Sequence, residues 1–91
     1  MRIDLFPQDD IAAVIRASSS ESVVVVIHPG RDPVAQAQAL AALSPLAIER
    51  APGLRLNAVV VGDSATRASI AAAAVFLDAA ASMTGQVIVV S

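Results

Sequence analysis

Only a few side chains in this sequence have the chemistry of a functional site, and four of them lie in two turns. His28 and Arg31 follow a run of valines, and Asp63 and Ser64 follow a second such run. If the two runs form neighbouring parallel strands, both turns lie at the carboxyl edge of one sheet, where α/β proteins bind ligands. The residue types of His28, Asp63 and Ser64 are those of a hydrolytic Ser-His-Asp triad. The simpler interpretation, which we favour, is a turn histidine, a turn aspartate and a serine that caps the following helix.

The charged residues beside these turns are candidates for ion binding. Arg31 precedes a predicted helix start, where free backbone N–H groups attract anions, but Asp32 is expected to cap that helix and occupy the same donors. Asp9 and Asp10 offer carboxylates to a cation, yet two carboxylates without further oxygen ligands make a poor site, so a helix cap is favoured. We therefore predict no metal site and assign no catalytic residue. The remaining hypothesis is a ligand-binding rim made of His28, Arg31, Asp63 and Ser64.

The composition excludes several classes of protein. The chain has 91 residues, of which 56% are hydrophobic and 15% are charged, and its net charge is -2. A hydrophobic fraction this high excludes disorder, and the length allows a single domain, residues 1–91. Two phenylalanines are the only aromatic residues and the charge balance is mildly acidic, so we expect no nucleic-acid binding. So much apolar surface on so short a chain favours association with a second copy or with another protein.

The residue types and segments that the sequence lacks limit the kinds of site the protein can have and where in the cell it is expected. The sequence contains no cysteine, which excludes disulfides, thiolate metal sites and cysteine nucleophiles. Its single histidine excludes a multi-histidine metal site within one chain. The first ten residues contain no apolar signal-peptide core, and the longest apolar run, Ile70–Leu77, is too short to cross a bilayer. We therefore expect a cytoplasmic protein that does not enter a membrane.

Strand-like and helix-like segments alternate along the chain. Runs of β-branched and aliphatic residues predict strands at Arg2–Phe6, Val23–Ile27, Leu54–Val61 and Gln86–Val90. Apolar residues at helical spacing predict helices from Ile11 to the break at Ser18, from Pro33 to about Arg50, and from Ala65 to Leu77 or Asp78. We expect Pro45 to kink or split the second helix, because proline removes a backbone donor. The order βαβαβαβ predicts an α/β three-layer sandwich around a four-stranded parallel sheet.

Two stretches, LAIERAPGLRLNAVVVG and SIAAAAVFLDAAASMTGQVIVVS, carry a family pattern. In the first, the matching positions are Leu46, Ala47, Glu49, Ala51, Pro52, Gly53, Arg55, Asn57 and Val59. In the second, they are Ile70, Ala71, Val75, Phe76, Leu77, Ala81, Ser82, Thr84, Gly85, Gln86 and Val87. Both stretches resemble the C-terminal half of the short-chain dehydrogenase/reductase family, and the segment Ala12–Val26 resembles it more weakly.

The chain departs from that family at the catalytic and nucleotide-binding positions. The family's catalytic tyrosine and lysine, aligned through Glu49, correspond to Asp32 and Gln36, and this sequence contains neither tyrosine nor lysine. Its glycines stand at positions 30, 53, 62 and 85, so no Gly-x-Gly pair is available to bind the phosphates of a dinucleotide. Val61 replaces the family's proline after the third strand, and the substrate-covering segment that would follow is absent.

The resemblance implies half of a Rossmann-like fold that has lost the family's cofactor, catalyst and substrate lid. We therefore predict a non-catalytic, oligomeric protein, a pseudoenzyme that binds no cofactor. The family assembles through the helix corresponding to Pro33–Arg50 and through the strand corresponding to Gln86–Val90, so a second copy or a full-length reductase is the expected partner. The alternative is an NAD(P)-dependent oxidoreductase component or a small-ligand-binding module that uses the rim of His28, Arg31, Asp63 and Ser64.

Overall fold

A computed structural model describes residues 1–91 and shows seven regular elements. The strands are β1 (Arg2–Leu5), β2 (Ser22–Ile27), β3 (Arg55–Val61) and β4 (Val87–Val90). The helices are α1 (Ile11–Ala17), α2 (Pro33–Arg50) and α3 (Arg67–Ala79). The elements alternate as predicted, and their ends lie within two residues of the sequence prediction.

All four strands are parallel and lie side by side in the order β1-β2-β3-β4. Ile27 of β2 shows the register: it lies opposite Leu5 of β1 on one side and opposite Val60 of β3 on the other. β2 and β3 are therefore central strands, while β1 and β4 form the two edges of the sheet. This arrangement confirms the predicted α/β fold class, half of a Rossmann-like fold.

The valine run of β2 is buried on both faces because helices cover both sides of the sheet. Val23, Val25 and Ile27 pack with α1 and α2, while Val24 and Val26 pack with α3. The strand order advances in one direction, but the covering helix changes face after β3. The β3-α3-β4 crossover therefore has the opposite hand from the first two crossovers, in contrast to the single hand that βαβ units usually share.

Each edge strand consequently has one face without a covering helix. Val87 and Val89 of β4 share the face that α1 and α2 cover elsewhere, and they are 44% and 66% exposed. Arg2 and Asp4 of β1 share the face that α3 covers elsewhere, and their side chains are 39% and 33% exposed. One uncovered face is thus apolar and the other is charged.

The first two helices begin at the predicted aspartates. Asp10 accepts a hydrogen bond of 3.1 Å from the backbone N–H of Ala13 and caps α1. Asp32 accepts one of 2.8 Å from the backbone N–H of Ala35 and caps α2. These contacts satisfy donors that the first helical turn leaves free.

The predicted start of α3 is wrong, because Thr66 caps the helix and Ser64 does not. Thr66 Oγ1 accepts from the backbone N–H of Ser69, and Ser69 Oγ accepts from the backbone N–H of Thr66. This reciprocal capping box usually has glutamate or glutamine at the third helical position, where this chain has serine. Because of this serine, the capping box was not recognised in the sequence.

The predicted split of α2 is also wrong, because the helix continues through Pro45. Pro45 and Ala41 both lie on the exposed side of the helix. The Ala41 carbonyl, which would have accepted the missing hydrogen bond, can therefore bind water. Neither α2 nor either shorter helix is long and apolar enough to cross a membrane.

Candidate functional site

The four residues predicted to form a rim lie at the carboxyl end of the sheet. His28 follows β2 directly, Arg31 lies in the turn before α2, and Asp63 and Ser64 lie in the turn after β3. The one hydrogen bond within this set joins Arg31 Nη1 to the His28 carbonyl over 3.4 Å. His28, Asp63 and Ser64 make no hydrogen bond to one another, so they do not form a Ser-His-Asp relay. A ligand site at this rim stays a prediction.

His28 pairs instead with Asp4, a residue that sequence analysis did not single out. Nε2 of His28 lies 3.0 Å from Oδ2 of Asp4. The Phe6 ring stacks on the imidazole with a centroid separation of 4.5 Å and an interplanar angle of 9°. The strand register explains the pair, because Asp4 lies opposite Val26, and His28, two residues further on and just past β2, points to the same face. Side-chain alternation in two neighbouring parallel strands is the signal that would have found it.

Asp4 is the anionic centre of this cluster. The Arg2 guanidinium donates to its carboxylate over 2.7 and 3.1 Å and holds the pKa of Asp4 below its ordinary value. His28 lowers that pKa further, while partial burial opposes the shift. In a neutral His28, Nε2 donates its proton to the carboxylate and Nδ1 is left as an acceptor. No hydroxyl is hydrogen-bonded to this pair, as a nucleophile would be.

Arg31 acts as a clamp on the strand-end loops. Its Nη2 donates to the carbonyl of Phe6 over 2.8 Å and to that of Asp9 over 3.5 Å, and its Nη1 donates to the carbonyl of His28. Gly30 next to it has φ +122°, and a Cβ there would lie 2.7 Å from Pro7 Cγ. Because the guanidinium already binds three carbonyls, it joins the ends of β1 and β2 and is less available to an anion.

A groove of about 290 Å³ lies beside the rim, between the N-terminal ends of α1 and α2. Its polar lining comes from Asp9, Asp10, Arg31 and Gln38. Asp9 accepts from the Phe6 backbone N–H over 2.8 Å, Asp10 caps α1, and Arg31 binds carbonyls. The chain brings no three histidine or acidic side chains together in a way that would hold a metal ion. All three charged residues of the groove therefore already have structural partners.

The element order, the parallel sheet and the residues of β3 and β4 point to one family of proteins. The model of a family described as short chain dehydrogenase-like protein matches residues 3–90, nearly the whole chain. The chain belongs to the short chain dehydrogenase-like family. No curated protein and no solved structure matches it. The family match confirms the resemblance seen in the sequence and extends it to β1.

In this short chain dehydrogenase-like protein, the positions aligned with the family's tyrosine and lysine build the first turn of α2. The Asp32 carboxylate caps the helix, and the Gln36 backbone N–H donates to the Asp32 carbonyl over 2.9 Å. Aspartate and glutamine supply neither a phenol nor an ammonium group. The two residues that the sequence resemblance aligns with the catalytic tyrosine and lysine therefore serve to start a helix.

Asn57 anchors β4 to the rest of the short chain dehydrogenase-like fold. It is the one buried polar residue, only 1% exposed. Its Nδ2 donates to the Met83 carbonyl over 3.0 Å, and its Oδ1 accepts from the Gln86 backbone N–H over 3.0 Å. Sequence analysis placed Asn57 in the family motif but gave it no role. Its position inside the buried apolar run that begins at Leu56 is the signal of a buried polar anchor.

The other end of β4 passes very close to Gly62. The Gly62 N–H donates to the Val90 carbonyl over 2.6 Å, and a Cβ on Gly62 would lie 2.9 Å from that oxygen. Glycine is therefore required here by the close approach of two backbones. Asn57 and Gly62 together fix β4 as an edge strand with an outer backbone that has no partner.

Proposed function

We propose that this short chain dehydrogenase-like protein acts by association and not by catalysis. It either assembles with itself or serves as a non-catalytic subunit of an active, full-length reductase. The observation that carries this proposal is the absence of tyrosine and lysine from the whole sequence, which leaves no source for the family's acid–base pair. The helix and the strand that the resemblance links to the family's assembly form here as α2 and β4.

The β4 edge supports association through its backbone and its side chains. The hydrogen bonds of Ala58 N–H to the Gln86 carbonyl and of Gly62 N–H to the Val90 carbonyl point these β4 groups toward β3. By alternation, the N–H and C=O groups of Val87 and Val89 point away from the sheet. The strand carries no charge and no proline, which are the usual devices that prevent edge pairing.

The outer surface of α2 supplies a second apolar area. Leu43, Leu46 and Ala47 face the core, while Val34 and Ile48 are 68% and 75% exposed near the two ends of the helix. Exposed apolar residues at helical spacing fill the helix surface between them, and a continuous apolar stripe of this kind favours contact with a partner. α2 and β4 therefore give the protein an outer helix and an open strand for assembly.

The main competing function is ligand or cofactor binding at the strand-end rim. The groove beside Arg31 favours it, because it opens at the carboxyl end of the sheet. Titration of NADH and NADPH fluorescence with the purified protein separates the two functions. We expect no saturable change, whereas a full-length reductase of the family should give one under the same conditions. Stoichiometric binding by this chain would contradict the association proposal.

A lysine on the β4 edge tests the association surface directly. Val89→Lys places a charge on the exposed face of β4 and should weaken self-association by about tenfold or more if this edge is used. Ser19→Lys, in the exposed α1-β2 loop, adds the same charge elsewhere and should change nothing. Sedimentation velocity over a dilution series measures both variants. Equal dissociation of the two variants would show that β4 is not part of the association surface.

A further inference from the structure

We propose that two copies of this protein join through their β1 edges in antiparallel orientation, with Ile3 on the two-fold axis. The inference rests on the proposed function only in requiring self-association, and it assigns that role to a surface other than α2 or β4. Three features of β1 carry it: the direction of its free backbone groups, the order of its charges, and the apolar groove beside it.

The backbone of β1 offers free hydrogen-bonding groups at only two residues. Val24 N–H donates to the Met1 carbonyl and His28 N–H to the Leu5 carbonyl, each over 2.9 Å, so the odd-numbered residues bond to β2. By alternation, the N–H and C=O groups of Arg2 and Asp4 point to the open side of the sheet. In an antiparallel pair centred on Ile3, Arg2 of one copy lies opposite Asp4 of the other. Residues opposite each other in this way exchange both backbone hydrogen bonds.

The end of the strand limits the pairing to this segment. Phe6 would be the next residue with outward backbone groups, but its N–H donates to Asp9 Oδ2 over 2.8 Å. Its carbonyl accepts from Arg31 Nη2 and from the Asp9 backbone N–H. Pairing must therefore stop at Asp4, which leaves the two free residues placed symmetrically about Ile3.

The charge order selects a second copy in antiparallel orientation. Arg2 and Asp4 lie on the same face and already bind each other within one chain. Antiparallel pairing adds an opposite charge directly across the seam to each of them, a favourable cross-strand contact. Parallel pairing would set Arg2 opposite an odd-numbered residue of the other copy, because in a parallel ladder a residue with inward backbone groups lies opposite one with outward groups. Pairing with the uncharged β4 edge of another copy would leave both charges without a new partner.

An apolar groove of about 110 Å³ runs beside the same edge. It lies between α3 and β1 and is lined by Arg2, Ala71, Ala74, Val75 and Asp78. Val75 is 68% exposed there. In the two-fold pair the grooves of both copies flank the seam, so exposed α3 side chains lie near the partner. The seam is short, and we expect a dimer that dissociates on dilution.

Exchanging the charges at positions 2 and 4 is the most direct test of this dimer. Arg2→Asp places carboxylate opposite carboxylate in both pairs, and Asp4→Arg places guanidinium opposite guanidinium. Each single variant should raise the dissociation constant by about tenfold or more, whereas the double variant Arg2→Asp/Asp4→Arg restores opposite charges and should recover most of the affinity. Circular dichroism and thermal unfolding show whether each variant is folded. Single variants without effect, or a double variant weaker than either, would overturn the inference.

Amide hydrogen exchange of the unmodified protein tests the same seam without substitution. The outward N–H groups of Arg2 and Asp4 should gain protection as the concentration rises, and those of Val87 and Val89 serve as the internal comparison. If only Val87 and Val89 gain protection, the β1 dimer is wrong and the proposed function stands. If Arg2 and Asp4 gain protection only with a full-length reductase, the occupant of this edge is not a second copy. A single-chain mass at every concentration, with no reductase bound, would overturn both proposals.

Discussion

The two edge strands of this sheet have equal length and opposite chemistry. β1 and β4 each have four residues, and each points the backbone groups of two residues away from the sheet. β1 carries Arg2 and Asp4 at those positions, and β4 carries Val87 and Val89. An apolar edge pairs with many strands, whereas alternating charges accept only a complementary strand in one direction. β4 therefore fits non-selective strand pairing, and β1 fits pairing with one complementary strand.

The two edges are also held to the sheet by different means. β1 ends in a polar clamp, in which Arg31 binds strand-end carbonyls and Asp4 contacts both Arg2 and His28. β4 depends on the buried amide of Asn57 at its start and on the close approach to Gly62 at its end. Buried groups are costlier to disturb than half-exposed charges. Substitutions at the β4 anchors should therefore have larger effects on stability than those at β1.

The largest effect is expected for Asn57→Ala. It leaves the Met83 carbonyl and the Gln86 N–H without their buried partner and should lower the free energy of unfolding by about 2–4 kcal/mol. Urea unfolding measures this loss, and amide exchange in β4 should accelerate more than in β1. Gln86→Ala is the matched control, because only the backbone of Gln86 makes the contact and its side chain is exposed. Equal losses in both variants would show that Asn57 is not the anchor.

A smaller effect is expected for Gly62→Ala. The new Cβ would lie 2.9 Å from the Val90 carbonyl oxygen and 3.1 Å from Ser91 Cα, so the end of β4 must move. We expect a loss of about 1–3 kcal/mol, measured by thermal unfolding. Gly53→Ala is the control, since its Cβ would meet nothing closer than the Arg50 carbonyl oxygen at 3.8 Å. If Gly53→Ala proved as costly as Gly62→Ala, close packing at β4 would not be the cause.

The smallest effect is expected at β1, for Asp4→Asn. Arg2, and to a smaller extent His28, hold the folded-state pKa of Asp4 below the ordinary value of 3.8. Ionised Asp4 therefore stabilises the fold above pH 3.8. This contribution is lost as the pH falls through the lower folded-state pKa. Because the carboxylate is 33% exposed, the loss at neutral pH should be about 1 kcal/mol or less.

The pH dependence separates this charge effect from a loss of packing. The difference in unfolding free energy between the wild type and Asp4→Asn should shrink as the pH falls below 3.8. Urea unfolding from about pH 7 to about pH 3 measures it. Glu49→Gln provides an exposed comparison, because Arg16 lowers the pKa of Glu49 on the surface between α1 and α2. A difference for Asp4→Asn that stays constant across the range would contradict the electrostatic account.

The sequence predicted the element order and sheet type because those follow from local patterns. The β-branched run of β2 and the helix-capping aspartates Asp10 and Asp32 are local signals, and each was read correctly. The cap of α3 was not, because Ser69 stands where a capping box usually has glutamate or glutamine. The predicted break at Pro45 was wrong because the effect of a proline on a helix depends on which side of the helix faces water. The change of face at α3 depends on the packing of the whole sheet and has no local signal.

The candidate site was less predictable because its contacts join distant residues. Sequence analysis found His28 and Arg31 by residue type and grouped them with Asp63 and Ser64 in one predicted rim. The structure joins them to Asp4 and to backbone carbonyls, through the parallel register of β1 and β2. Asp4 was overlooked because a single aspartate in a short strand resembles a surface charge. The anchoring role of Asn57 could not be predicted without knowing where the loop before β4 returns to the sheet.

The native mass of the tagged protein recovered from its own host tests the central claim most directly. We predict a complex larger than one chain, made of further copies or of a full-length reductase at fixed stoichiometry. In the second case, reductase activity measured with and without this chain would define its role. Recovery of a single chain that carries a nicotinamide dinucleotide would contradict the claim that the protein acts by association.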